Sequence, residues 1–130
     1  MDGRRGVVLF AHGSRDARWR EPVEAVARRV AELDPAAAVR CAYLELAAPD
    51  LPQATAELAA AGVRTVRVVP LFLGIGRHLR EDLPRLMDEL RRAWPGIAFT
   101  LAPAVGESPA LVDLMARLAL QENHSDPHIP

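Results

Sequence analysis

The sequence predicts an α/β protein in which a four-stranded parallel sheet lies between two layers of helices. Short apolar runs alternate four times with segments of helical periodicity. The first run, Gly6–Ala11, is apolar throughout, which is typical of a strand covered on both faces. The third run, Thr65–Phe72, is rich in β-branched residues. Strands that alternate with helices favour right-handed βαβ crossovers, and these give a three-layer α/β/α architecture.

Each element has a local signal that sets its limits. Pro35 and Gly62 end the first two helices, because proline disfavours a helical residue before it and glycine favours the helix C-terminus. Pro95 ends the third helix, and Ser108 is placed to cap the fourth. The predicted strands are Gly6–Ala11, Ala38–Leu44, Thr65–Phe72 and Ile97–Leu101. The predicted helices are Asp16–Leu33, Pro52–Ala61, His78–Trp94 and Ser108–Leu120.

Two helices carry apolar residues at helical spacing, and these predict which face each helix buries. The expected buried residues of the first helix are Val23, Val26, Ala27, Val30 and Leu33. Those of the third helix are Leu79, Leu83, Leu86, Met87 and Leu90. Pro84 lies in the third helical segment, so the helix either accommodates a proline or begins near Glu81, with Pro84 in its first turn.

Length and composition restrict the class of protein. The 130 residues predict one domain over residues 1–120, and the polar, proline-containing segment 121–130 is predicted to be a disordered tail. A net charge of −1 argues against nucleic-acid and membrane partners. The single cysteine, Cys41, excludes a disulfide framework and zinc sites built on paired thiolates. The apolar run after the N-terminus is too short for a secretory signal, so we expect a cytoplasmic protein.

Three residues that could bind a metal or accept a proton follow the predicted strands. In an open parallel sheet, ligands bind beyond the carboxyl ends of the strands. His12 follows the first strand, Glu45 the second, and His78 the loop after the third. Imidazole binds borderline divalent metals and accepts protons near pH 7, and a carboxylate can complete a mixed site. Taken alone, each histidine is more simply a residue that caps a turn, and Glu45 is more simply an exposed strand end. Two histidines on the same edge favour a role in metal binding or proton transfer over a purely structural one.

Several other patterns do not support a named chemistry. Gly74 and Gly76 allow a flat ligand to approach closely, but the third glycine of a dinucleotide-binding loop is missing. Ser14 does not stand in a Gly-x-Ser-x-Gly nucleophile elbow. His124 and His128 have an incidental spacing in the predicted tail.

Two motifs resemble those of a known family. His12-Gly13-Ser14-Arg15-Asp16 follows the first strand, and Pro70-Leu71-Phe72-Leu73-Gly74-Ile75-Gly76-Arg77-His78 precedes Asp82-Leu83-Pro84. Together they resemble the small CbiX/SirB-type sirohydrochlorin chelatases of the class II chelatase family, over roughly residues 6–120. The resemblance implies a chelatase-like fold and an enzyme that inserts Co²⁺ or Fe²⁺ into sirohydrochlorin, in cobalamin or sirohaem biosynthesis.

The resemblance also implies roles for individual residues. His12 and His78 would bind the metal, with His12 as proton acceptor and Glu45 as a further catalytic residue. Arg80 would join the arginines near the ring as a partner for its carboxylates. The residues expected to contact the tetrapyrrole are Ser14, Arg15, Leu73, Gly74, Ile75, Gly76 and Arg77. The resemblance implies no tightly bound cofactor, with Co²⁺, Fe²⁺ or Ni²⁺ as substrate, and a homodimer.

Two other functions share features with this one. A histidine phosphatase would carry arginine directly before the histidine, where this chain has Ala11. A non-catalytic metal or tetrapyrrole carrier would use the same edge of the sheet, so the residues leave that alternative open. They also leave open the choice between cobalt and iron, because imidazole and carboxylate bind both.

Overall fold

A computed structural model describes residues 4–121, and within that range the chain forms four strands and four helices in alternation. The strands are β1 (Arg4–Ala11), β2 (Ala38–Tyr43), β3 (Val63–Pro70) and β4 (Ala98–Leu101). The helices are α1 (Glu21–Leu33), α2 (Leu51–Ala60), α3 (Arg77–Ala93) and α4 (Pro109–Leu120). Two short 3₁₀ turns, Ala17–Arg20 and Val105–Glu107, precede α1 and α4.

The strands form one parallel sheet in the order β2-β1-β3-β4. At its centre Val8 pairs with Arg40 of β2 on one side and with Val68 of β3 on the other. The predicted α/β fold with a four-stranded parallel sheet is therefore confirmed. This strand order makes β1 and β3 neighbours, which brings the loops after them to the middle of one sheet edge.

Helices on both faces of the sheet bury two apolar clusters. α2 and α3 cover one face, where Phe10 packs with Leu58, Met87 and their neighbours. α1 covers the other face over β1 and β2, where Val23 packs with Tyr43 and their neighbours. These clusters fix the strand ends, because burying each large apolar side chain contributes about 1.5–3 kcal/mol.

The second helical layer is less complete than predicted. α4 has no buried residue, and four of its apolar side chains are more than half exposed: Val112, Leu114, Leu118 and Leu120. On β3 and β4, Arg67 and Thr100 pair in register and are both exposed. Among residues 4–121, α1 is therefore the main helical cover of this face.

The start of the first helix is later than predicted. A 3₁₀ turn over Ala17–Arg20 intervenes, and the Asp16 carboxylate accepts a hydrogen bond of 3.0 Å from the Arg18 N–H. α1 begins at Glu21, with Pro22 in its first turn, a position where proline needs no hydrogen-bond partner. The predicted helix over 16–33 was wrong in its first five residues.

Three further expectations about the helices need correction. Val26 and Leu33 are exposed rather than buried in the α1 face. Pro84 lies inside α3, which starts at Arg77, so the alternative start near Glu81 is wrong. Ser108 occupies the residue before α4 but makes no capping hydrogen bond through its side chain.

The lengths of the described helices bear on whether they could cross a membrane. None of those between residues 4 and 121 is long and apolar enough to cross a bilayer. Most of the segment predicted to be a disordered tail, residues 122–130, lies outside the described residues. His124 and His128 belong to this part.

Candidate functional site

Backbone hydrogen bonds continue the sheet beyond its strands and hold the loops of one edge together. The Glu45 N–H donates to the His12 carbonyl at 2.9 Å, which joins the loops after β2 and β1. The Leu71 N–H donates to the Phe10 carbonyl at 2.8 Å, which joins the loop after β3 to β1. The main chain at His12 therefore occupies a defined place between the two neighbouring loops.

Gly13 makes this close approach of loops possible. Its φ is +106°, in the region that residues with a side chain rarely adopt. A β-carbon on Gly13 would lie 2.9 Å from the Glu45 carbonyl carbon, and closer still to the carbonyl oxygen. Glycine is therefore required here both by conformation and by space.

The His12 side chain is exposed but has an aromatic neighbour. Its imidazole lies edge to face against the ring of Phe72, with centroids 4.6 Å apart and planes at 76°. Phe72 is only 4% exposed, and its ring also meets that of Phe10, at 6.2 Å. One side of the His12 ring thus packs on a fixed surface while the imidazole remains open to a ligand.

The loop after β3 leads directly to His78. His78 is exposed in the first turn of α3, whose preceding residue is Gly76. Gly74 and Gly76 have no atom within 4 Å of where a β-carbon would stand, and Leu73 is 67% exposed. The Arg80 guanidinium donates to the Ile75 carbonyl at 3.4 Å. The loop therefore presents backbone and one large apolar side chain to solvent.

The structure brings His12, Glu45 and His78 to the same edge of the sheet, and all three are exposed. Within residues 4–121, no three histidine, cysteine, aspartate or glutamate side chains come close enough to enclose a metal ion. The edge therefore offers donors without a closed cage. A metal bound by so few protein atoms keeps positions free for other ligands.

The side chains predicted to contact the tetrapyrrole differ in the hydrogen bonds and ion pairs that they already make within the chain. The Ser14 hydroxyl accepts a 3.0 Å hydrogen bond from the Asp16 N–H and so stabilises its own turn. Arg77 forms a surface ion pair with Glu81 at 3.5 Å, a type of contact worth little in water. Arg15 is exposed and takes part in none of the ion pairs found between residues 4 and 121.

A depression of about 290 Å³ lies beside the start of α3. It is lined by Ile75, Arg80 and Glu107, together with apolar residues of α3 and of the loop after β4. Arg80 therefore faces an open space next to the edge that carries His78.

The thiol of Cys41 does not belong to this edge. Cys41 lies within β2 on the face covered by α1, and its sulfur is 3.8 Å from the Val23 carbonyl oxygen. Burial, followed by the nearby Glu24 carboxylate, raises the pKa of Cys41. Cys41 is half-buried.

Phe72 and Gly106 were not predicted to have a role at this edge. Phe72 lies in the quoted motif, and its position at the end of the predicted apolar strand was a usable signal for a buried ring near this edge. Gly106 lies in the short segment after β4, where its sequence context, Ala-Val-Gly-Glu, does not show which distant residue the glycine approaches.

Comparison with known proteins gives consistent results. Residues 6–122 match the model of the CbiX family. A sirohydrochlorin cobaltochelatase of Saccharolobus solfataricus is 30% identical over 118 residues, which cover 86% of this chain and 91% of that protein. A sirohydrochlorin cobaltochelatase of Methanopyrus kandleri is 37% identical over 81 residues, which cover 62% of this chain but only 57% of that protein.

A solved structure agrees with these relatives. The crystal structure named for a cobalamin (vitamin B12) biosynthesis CbiX protein of Marinobacter aquaeolei superposes with a TM-score of 0.76 at 39% identity. The match covers 89% of this chain and 94% of that one.

Proposed function

Because the chain belongs to the CbiX family, we propose that it is a sirohydrochlorin chelatase, which inserts a divalent metal into that tetrapyrrole. Relatives named as cobaltochelatases make Co²⁺ the first metal to test, with Fe²⁺ as the alternative. The observation that carries the proposal is the position of His12 and His78 beyond the carboxyl ends of two neighbouring strands.

The open set of donors suits a metal that is delivered rather than kept. Insertion exchanges the ligands of the metal for four ring nitrogens and removes two pyrrole N–H protons. In this proposal His12 and His78 hold the metal through imidazole nitrogens, which bind Co²⁺ and Fe²⁺ without a thiolate cage. Glu45 accepts one pyrrole proton, and His12 accepts the other once its imidazole nitrogen has passed the metal to the ring, since an approaching cation favours deprotonation of the ring nitrogens.

The tetrapyrrole would lie along the loop after β3. Its flat face would rest on Leu73 and Ile75 and approach the backbone at Gly74 and Gly76, where space is open. Its carboxylates would meet Arg15 and Ser14 on one side, and Arg77 and Arg80 on the other, because guanidinium groups bind carboxylates in a bidentate manner.

The same proposal includes the organisation of the protein. We infer one domain over residues 1–120 and a homodimer, in which a second copy covers the exposed apolar side chains of α4. We also infer a cytoplasmic location, where the lone cysteine stays reduced. Sedimentation of the purified protein tests the dimer: a monomer at micromolar concentration would contradict it.

Catalytic turnover is the direct test of function. Protein at a small fraction of the sirohydrochlorin concentration, mixed with Co²⁺, should convert the whole pigment, as seen by its visible absorption. Conversion of one equivalent only would instead identify a carrier. His12→Ala and His78→Ala should each abolish the accelerated insertion while leaving the urea unfolding midpoint close to that of the unmodified protein, because both side chains are exposed.

Arg15 allows a sharper test of ring binding. Arg15→Ala should raise the KM for sirohydrochlorin with little change in the dependence on Co²⁺. Arg64→Ala is the matched control, because Arg64 is exposed at the start of β3, at the opposite end of the sheet. Unchanged kinetics in Arg15→Ala, or equal changes in both variants, would contradict the assignment.

A further inference from the structure

The loop after β4 supports the loop that carries the proposed metal site. The Gly106 N–H donates to the Phe72 carbonyl at 3.0 Å. A β-carbon on Gly106 would lie 2.5 Å from the Leu73 α-carbon, and closer still to the Leu73 carbonyl. The two backbones are therefore in direct contact, at a distance that only glycine permits.

This contact holds one residue of the β3 loop in particular. On the side of β1, the loop is held by the hydrogen bond from Leu71 to Phe10. On the side of β4, Gly106 provides the bond to Phe72. Gly74, further along, has open space around it. Phe72 is thus fixed between β1 and the turn at Gly106.

Phe72 in turn determines the surroundings of His12. Its ring is buried and meets the imidazole of His12 at 4.6 Å, edge to face. The rest of the His12 side chain is exposed, so this ring contact restricts the rotamers that the imidazole can adopt. Partners that orient a ligating histidine typically change metal affinity 10–100-fold when they are removed.

We propose that Phe72 and Gly106 are positioning residues for His12: Gly106 seats the β3 loop, and the Phe72 ring sets the direction of the imidazole. The proposal rests on the proposed function only in that His12 binds the metal. Neither residue touches the metal or the ring nitrogens. A shift of the turn at Gly106 would reach His12 through the main chain of Phe72.

Three variants test the proposal by Co²⁺ titration without tetrapyrrole and by the NMR signals of the His12 ring. Phe72→Leu and Gly106→Ala should each weaken Co²⁺ binding about tenfold. Gly106→Ala, which keeps the Phe72 ring, should also move the His12 ring signals. Gly96→Ala is the matched control, because no atom lies within 4 Å of the β-carbon it would gain. It should bind Co²⁺ as the unmodified protein does.

The outcomes separate this proposal from the one on function. Unchanged Co²⁺ affinity in folded Phe72→Leu would overturn the positioning role, even if Gly106→Ala fails to fold. If His12→Ala itself binds Co²⁺ normally, the metal assignment fails, and the His12 ring signals of Gly106→Ala then decide whether the turn at Gly106 orients His12. A uniform fall in urea stability without any change at His12 would also count against the proposal.

Discussion

Replacing Gly13 with alanine should damage both stability and turnover, because the new methyl group would push two loops apart. The β-carbon would stand 2.9 Å from the Glu45 carbonyl carbon and nearer to its oxygen, so the loops must separate by more than about 1 Å. The positive φ of Gly13 adds about 1–2 kcal/mol of strain for alanine. Loss of the bond between Glu45 and His12 adds about 1 kcal/mol.

Together these effects predict a fall of about 2–3 kcal/mol in the free energy of unfolding. Turnover should fall about 100-fold, since a displacement of 1 Å at a reacting group can have that effect. The first quantity is measured by urea unfolding and the second by the visible absorption of the tetrapyrrole with Co²⁺.

Gly62 provides the matched control. Its φ is also positive, at +85°, but no atom lies within 4 Å of the β-carbon it would gain. Gly62→Ala should therefore cost only the conformational strain, about 1–2 kcal/mol, and should leave turnover unchanged. Equal losses of stability in the two variants, or full turnover in Gly13→Ala, would refute the role given to the loop contact.

Three further predictions concern the neighbourhood of the edge. Burial, followed by Cys41 and Glu24, raises the pKa of Tyr43 to about 12. The free energy of unfolding should therefore fall between pH 10 and 12, by at most about 2–3 kcal/mol because solvent screens part of the effect. The phenolate absorbance of this single tyrosine should appear only near pH 12, and Tyr43→Phe should reduce the pH dependence. Cys41, whose pKa is also raised, should react more slowly with a thiol reagent when folded than in urea, and faster in Glu24→Gln. Leu46 has φ +65° and is half exposed. Leu46→Gly should therefore increase the free energy of unfolding by about 1 kcal/mol and raise the urea midpoint, whereas Leu44→Gly should lower both.

The strands were predictable because their signals are local. An apolar run such as Gly6–Ala11 is typical of a strand buried on both faces, and four such runs between helices leave few topologies. The position of His12 and His78 at one edge then follows from the fold, because parallel strands end together. Their surroundings do not follow in the same way.

Contacts between distant segments could not be predicted. The support of Leu73 by Gly106 joins loops that are far apart in the chain, and a glycine in a turn has many possible reasons. Pro84 shows a different difficulty, since its place inside α3 depends on whether the burial of nearby apolar side chains outweighs the cost of a proline within a helix. Burial of Leu83 and Met87 on either side of it contributes about 1.5–3 kcal/mol each and offsets the roughly 3 kcal/mol that an interior proline costs.

The hydrogen bonds that join the loops at the functional edge are made by main-chain atoms, as between Glu45 and His12. Several side chains of that edge, among them Arg15, Leu73 and Arg77, are exposed, and exposed substitutions usually change stability by less than about 0.5 kcal/mol. Ligand preference can therefore be altered here without a compensating gain of stability elsewhere. An evolving or engineered variant could accept a differently decorated ring on the same unchanged backbone.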